Sequence, residues 1–252
     1  MVESAIRKAD VLIEAMQWIR QFRGKVTVIK LGGSVMEEPA AMAHLLVDIV
    51  FMETVGMHPV VVHGGGAAIS RAMSEAGIKP VFVQGRRYTD DASLDIVEKV
   101  LAGEVNQNLV DHVIELGGAA ESLSFRTENV LFGEKLQLSD DEGHEVDLGH
   151  VGHVTHVNAE TIFRLCENNI VPIIPSMCIT RNGEKLNVNA DTAAMAVAQA
   201  MKAEKLVFLS DVNGVRRDKN DPETLIHSLT ARDVDQLIHS GAIDSGMIPK
   251  VQ

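Results

Sequence analysis

The chain has 252 residues, 46% of them hydrophobic, which excludes wholesale disorder and allows one large α/β unit or two lobes sharing a sheet. Its formal charge is −12 and its basic residues form no run or stripe. That argues against nucleic acid or an anionic membrane as partner, so an anionic ligand must be held by a few placed groups.

In chain order, residues 6–22 carry one helical stripe of Leu12, Met16 and Ile19 and another of Val11, Ala15, Trp18 and Phe22. Such a helix either lies on its own core or docks on another subunit. The first turns also carry Glu3, Arg7, Lys8 and Asp10, and no apolar stretch approaches the ~20 residues of a membrane span. A β-branched run at 26–29 precedes a helical pattern at 38–54, punctuated by Pro39 at its start and Gly56 behind it. A second run at 60–62 precedes a helix at 67–76, and this alternation predicts βαβ units and a mainly parallel sheet.

A longer helix is predicted at 92–116, then a hairpin-rich excursion at about 122–155 around the turn at 140–143. Alternation resumes with a helix at 159–168, a strand at 170–174, a helix at 190–200 and a strand at 206–209. A boundary between two lobes is placed near 176. Cys166 and Cys178 form no CxxC pair and read as buried, reduced filler in a cytoplasmic protein.

The segment Lys30-Leu-Gly-Gly-Ser34 follows the first run, at the sheet edge where α/β proteins bind ligands. Glycine lets backbone N–H groups approach an oxyanion and lysine adds a point charge, although a glycine pair after a strand is usually only a turn. His63-Gly-Gly-Gly66 repeats the arrangement with a helix directly behind it, whose free N–H groups and positive dipole end would face the loop. His63 itself reads as a structural histidine, because nothing supplies a second catalytic partner. Neither loop fits GxGxxG, the region where a ribose-binding acid should stand reads Val83-Gln-Gly-Arg86, and no GxxxxGK[ST] occurs.

Gly85-Arg-Arg-Tyr-Thr89 is placed in a loop, where paired arginines are commonly solvated but one could clamp a carboxylate. In Asn187-Val-Asn-Ala-Asp191, Asn189 or Asp191 is a candidate N-cap of the next helix. Ser210-Asp-Val-Asn-Gly214 looks like a tight turn, and Lys250 like an ordinary surface lysine.

In this order the motifs KLGGS (30–34), HGGG (63–66), GRRYT (85–89), NVNAD (187–191), LSDVNG (209–214) and GMIPK (246–250) resemble the amino-acid kinase family. Within it they are most similar to the members that phosphorylate N-acetyl-L-glutamate. The resemblance runs from about residue 23 to the end and implies a three-layer αβα sandwich around the sheet. It implies a helical arm at 1–24, an acid-binding lobe at 25–176 and a nucleotide-binding lobe at 177–252.

By the same resemblance Lys30 and Lys250 stabilise the transition state and Asp191 holds both. Gly65, Gly66, Arg87 and Asn187 bind the acetylglutamate, Gly32 and Gly33 line the phosphate path, and Asp211 lies by the nucleotide. ATP would enter with Mg²⁺, and no residue is assigned as a metal ligand. The reaction would be the second step of arginine biosynthesis, and it suits the residues: a γ-carboxylate is already ionised at neutral pH, so no general base is required.

The N-terminal helix resembles the arm of hexameric, arginine-inhibited members, which implies a homo-oligomer of dimers and an arginine effector. The family's chains continue past the final lysine through about another helix, strand and helix. The stretch Ser122-Leu-Ser-Phe-Arg-Thr-Glu128 lacks the family's glycine-rich basic loop, so no substrate contact is assigned there. The motifs leave open a kinase of aspartate, glutamate, an aminoadipate derivative or carbamate, and a non-catalytic amino-acid sensor.

Overall fold

The computed structural model describes residues 2–251 except 141, 211, 219, 242 and 244–246. Helix α1 (Val2–Phe22) leads into β1 (Val26–Leu31), the short α2 (Gly33–Met36), α3 (Pro39–Thr54), β2 (His58–His63) and α4 (Gly66–Glu75). A two-stranded ribbon, β3 (Phe82–Val83) and β4 (Arg86–Arg87), precedes α5 (Asp91–Glu98), which passes through a π-helical segment (Lys99–Val105) into α6 (Asn106–Glu115). Next come β5 (Ala120–Ser122), β6 (Leu131–Lys135), β7 (Leu138–Ser139), β8 (Glu145–Val146), β9 (Val151–Val157) and α7 (Ala159–Glu167). The chain continues with β10 (Val171–Pro175), β11 (Met177–Ile179), β12 (Lys185–Val188), α8 (Ala190–Ala200), β13 (Lys205–Leu209), α9 (Ala231–His239) and α10 (Ile248–Val251).

The central sheet is five-stranded and parallel in the order β13-β1-β2-β10-β5. Its strands are apolar on both faces, as a parallel sheet covered by two helical layers requires. On one face Val26, Val28, Val60 and Val62 share a core with Ile162 and Leu165 of α7 and Ala193, Ala194 and Val197 of α8. On the other, Ile29, Leu31 and Val61 pack with Leu46 and Ile49 of α3 and Leu109 and Val113 of α6. The expected three-layer αβα sandwich is therefore present.

Strand alternation decides the fate of Lys30. Residues two apart share a face, so Lys30 continues the row of Val26 and Val28 and emerges on the side covered by α8. Slipping β1 by one residue would send the lysine to the α3 side.

The excursion at 122–155 contains the β7–β8 ribbon and supplies β6 and most of β9 to a small closed barrel in the order β11-β12-β9-β6. The sequence pattern does not reveal the barrel, because its strands come from stretches separated by α7 and β10. Strand β1 is also longer than predicted: Lys30 and Leu31 are its last residues, not the start of the loop. Arg87 lies in the β3–β4 ribbon, not in an open loop. Helix α1 does not lie on the core, since Val2, Ile6, Val11, Leu12, Ile13, Met16 and Trp18 are all exposed.

Candidate active site

Asp191 sits in the first turn of α8, where Asn189 takes the N-cap, its side chain accepting from the Asp191 and Thr192 amides. The cap is thus met by Asn189, and the Asp191 carboxylate is left for the lysines. Lys250 Nζ donates to Asp191 Oδ2 at 2.8 Å, and Lys30 Nζ stands 2.8 Å from Oδ1. The two contacts set both ammoniums on the same carboxylate.

Burial pushes the Asp191 carboxyl up, but hydrogen bonds and charges from Lys250 and Lys30 outweigh it and hold the group below the usual carboxylate range. Two ammoniums around one carboxylate leave an excess positive charge, with Lys30 only 8% and Asp191 6% exposed. Such an arrangement favours an anion in the adjoining space.

That space is a cavity of about 220 Å³ lined by Lys30, Gly33, the glycines 64–66, Arg87, Asn187 and Ala190, among others. Both glycine turns reach it. A Cβ on Gly33 would lie 3.5 Å from the Gly66 amide nitrogen and 3.7 Å from that of Ala67, in ordinary contact, which places the first glycine turn directly against the amides that open α4. Gly32 is excluded from carrying a side chain, because its Cβ would stand 2.8 Å from the Leu209 carbonyl. Helix α4 has no side-chain cap, which leaves its first N–H groups and its positive dipole end for a ligand.

Arg87 also lines the cavity. It is buried, donates to Gly66 O at 3.0 Å, Ser70 Oγ at 2.7 Å and Met73 Sδ at 3.3 Å, and its Cζ lies 4.8 Å from the Phe82 ring centre. Among the described residues no carboxylate lies within ion-pair distance of it, and burial lowers its pKa from the ordinary arginine value. A desolvated guanidinium held by neutral acceptors is a receptor for an anion brought from outside. Asn187 of β12 donates to Thr89 Oγ1 at 3.2 Å and lines the same cavity.

The structure therefore brings Lys30, Lys250, Asp191, Gly33, Gly65, Gly66, Arg87 and Asn187 together. Gly32 lies behind them against Leu209, and its amide donates to the Leu209 carbonyl at 3.0 Å. Asp211 falls outside the described residues. Lys250 reads as a surface lysine in the sequence, and nothing local separates it from one, because its partner is 59 positions away. Thr89, which holds Asn187, and Leu101, packed against Gly65, also gave no local signal.

A three-layer parallel sheet with two glycine turns and a lysine pair at its carboxyl edge defines an anion-handling phosphotransfer fold. The chain belongs to the amino acid kinase family, whose model matches residues 25–252. Acetylglutamate kinase from Methanocaldococcus jannaschii is 43% identical over 251 residues, covering 98% of this chain and 84% of the relative. The enzyme of that name from Symbiobacterium thermophilum is 44% identical, covering 100% and 86%.

Among solved structures, a Streptococcus mutans protein matches with a TM-score of 0.77 at 31% identity, covering 90% of this chain and 87% of its own. N-acetylglutamate synthase from Neisseria gonorrhoeae, complexed with coenzyme A and N-acetyl-glutamate, shares the fold with a TM-score of 0.80 at 23% identity. That match covers 95% of this chain and 53% of the synthase chain.

Proposed function

We propose that the chain transfers the γ-phosphoryl group of ATP to the γ-carboxylate of N-acetyl-L-glutamate, giving N-acetylglutamyl 5-phosphate and ADP in the second step of arginine biosynthesis. The observation that carries the reading is that Lys30, tied with Lys250 to Asp191, lines one cavity with Arg87, a buried guanidinium that has no carboxylate partner among the described residues. The acetylglutamate kinases at 43% and 44% identity support the choice of acid.

In this reading Arg87 takes the α-carboxylate and Asn187 the amide end of the substrate, which leaves the γ-carboxylate beside the glycine turns. That carboxylate is already ionised, since its ordinary pKa is about 4.3. One of its oxygens attacks the γ-phosphorus while the bond to the bridging β-γ oxygen breaks, and ADP departs with that electron pair. No proton has to move first.

Two anions must instead be brought together and charge on the transferring group offset. Lys30, Lys250 and the amides of Gly33, Gly65 and Gly66 are suited to this, with Asp191 keeping the ammoniums apart and aimed. Mg²⁺ neutralises phosphate charge when it arrives with ATP.

The same reading assigns the acid to the lobe at 25–176 and the nucleotide to the lobe at 177–252, with Asp211 at the nucleotide. The arm at 1–24 is assigned to assembly into a hexamer of dimers that responds to arginine, a role suited to the exposed Ile6, Val11, Leu12 and Trp18. A cytoplasmic setting is in keeping with the free thiols of Cys166 and Cys178, which burial pushes up to about 12.

Coupled ADP release measured with N-acetyl-L-glutamate, aspartate, glutamate, an aminoadipate derivative and carbamate tests the assignment. Preference for N-acetyl-L-glutamate is expected. Equal or better turnover of another acid would make the chain a different small-acid kinase, and binding heat without ADP release would make it a sensor.

A further inference from the structure

His63 ends β2 and is completely buried, immediately ahead of the second glycine turn. Its Nδ1 lies 2.9 Å from the carbonyl oxygen of Gly64 and its Nε2 lies 3.0 Å from Asn106 Nδ2. A carbonyl can only accept, so Nδ1 must carry the proton and Nε2 must be the bare acceptor. Asn106 is turned accordingly: its amide group also donates to the Ile173 carbonyl at 3.1 Å, and its own Oδ1 is buried without a partner. The tautomer is therefore fixed from outside the ring, by a residue that touches neither cavity nor substrate.

The consequence falls on one peptide plane. In a trans peptide the C=O and the following N–H point in opposite directions, so anchoring the Gly64 carbonyl on His63 turns the Gly65 N–H away from the histidine. The Gly64 amide is spent on the Leu31 carbonyl at 3.3 Å, while Gly65 and Gly66 open α4 without a cap. The π-helical segment closes the other side. Leu101 stands where a Cβ on Gly65 would come within 2.6 Å, Val105 lies just behind it, and the next residue is Asn106. A π turn at this point lets one helix both wall in Gly65 and deliver the amide to His63.

We propose that His63 is a positioning residue for phosphoryl transfer: through its Nδ1–H bond to the Gly64 carbonyl, oriented by Asn106, it aims the Gly65 N–H at the oxygens that gain charge in the transition state. This rests on the kinase reading above. Burial, which pushes the imidazole down to about 4, keeps the ring neutral at working pH and so keeps Nε2 an acceptor.

The test uses the full chain and three variants. His63→Asn keeps a side-chain N–H close to the Nδ1 position, whereas His63→Gln keeps a polar group only toward Asn106. Turnover with N-acetyl-L-glutamate is expected to fall about 30-fold in His63→Gln and no more than about fivefold in His63→Asn, with KM for the acid within about threefold in both. Asn106→Asp supplies an acceptor in place of the donor, so a neutral ring would take the opposite tautomer and lose the Gly64 bond, and only the imidazolium would restore it. Its kcat is expected to fall as pH rises, over a range where the parent is flat.

Equal turnover in His63→Asn and His63→Gln, losses that merely follow melting temperature, or a parent-like pH profile in Asn106→Asp would each overturn the proposal. An inactive parent chain would instead strike at the kinase reading itself.

Discussion

Arg87 is a buried cation whose partners are a carbonyl, a hydroxyl and a thioether, so part of its electrostatic capacity is unused in the free protein. Replacing it with methionine removes an anion receptor without breaking an ion pair. KM for N-acetyl-L-glutamate should rise about 30-fold or more, the cost of a lost charge-assisted pair, while the melting temperature stays within about 3 °C. Steady-state kinetics beside a thermal melt check this, and a large fall in stability with unchanged KM would make Arg87 a structural residue.

His63 makes a second prediction at this scale. In the native state its pKa is about 4 against an ordinary 6.5, so between those values the unfolded chain binds more protons. Stability is therefore lost as pH falls from about 6.5 toward about 4, on the order of 2 kcal/mol between pH 7 and pH 5. Urea denaturation at both pH values should show that loss in the parent chain and a smaller one in His63→Gln.

Among elements, β1 and α8 do most to build the site. The alternation of β1 puts Lys30 in the row of Val26 and Val28, and the Asn189 cap sets where α8 begins, hence where Asp191 stands. Asn189→Ala should cost about 1 kcal/mol in chemical denaturation. It should also lower kcat more than KM, because the displaced carboxylate holds both ammoniums. A stability loss with unaltered turnover would separate the cap from the chemistry.

The glycine turns and α8 were legible in the sequence because their signals are local: a β-branched run, a glycine pair, a helix pattern behind a capping residue. The small barrel was not, because β6 and β9 find β11 and β12 only after α7 and β10 have intervened. The ribbon that carries Arg87 escapes the sequence for a similar reason, since a two-residue ribbon is defined by pairing and not by pattern. Lys250 carried no physical signal of its own, and only the family resemblance singled it out.

At the scale of the whole molecule, the fold brings a strand near the start of the sequence and a helix at its end to one carboxylate. Helix α10 packs on α8, and β13 lies beside β1 with the Gly32 amide on the Leu209 carbonyl. The charge cluster is thus a property of the closed α/β unit and not of any segment. Turnover should depend on Lys250 far more than acid binding does, because its charge is needed chiefly where negative charge develops.

The most direct measurement is kcat for Lys250→Ala in the ADP-release assay, set beside the dissociation constant for N-acetyl-L-glutamate from calorimetry. The account predicts a fall in kcat of about 100-fold or more with affinity within about threefold. Preserved turnover with a large loss of binding would contradict it.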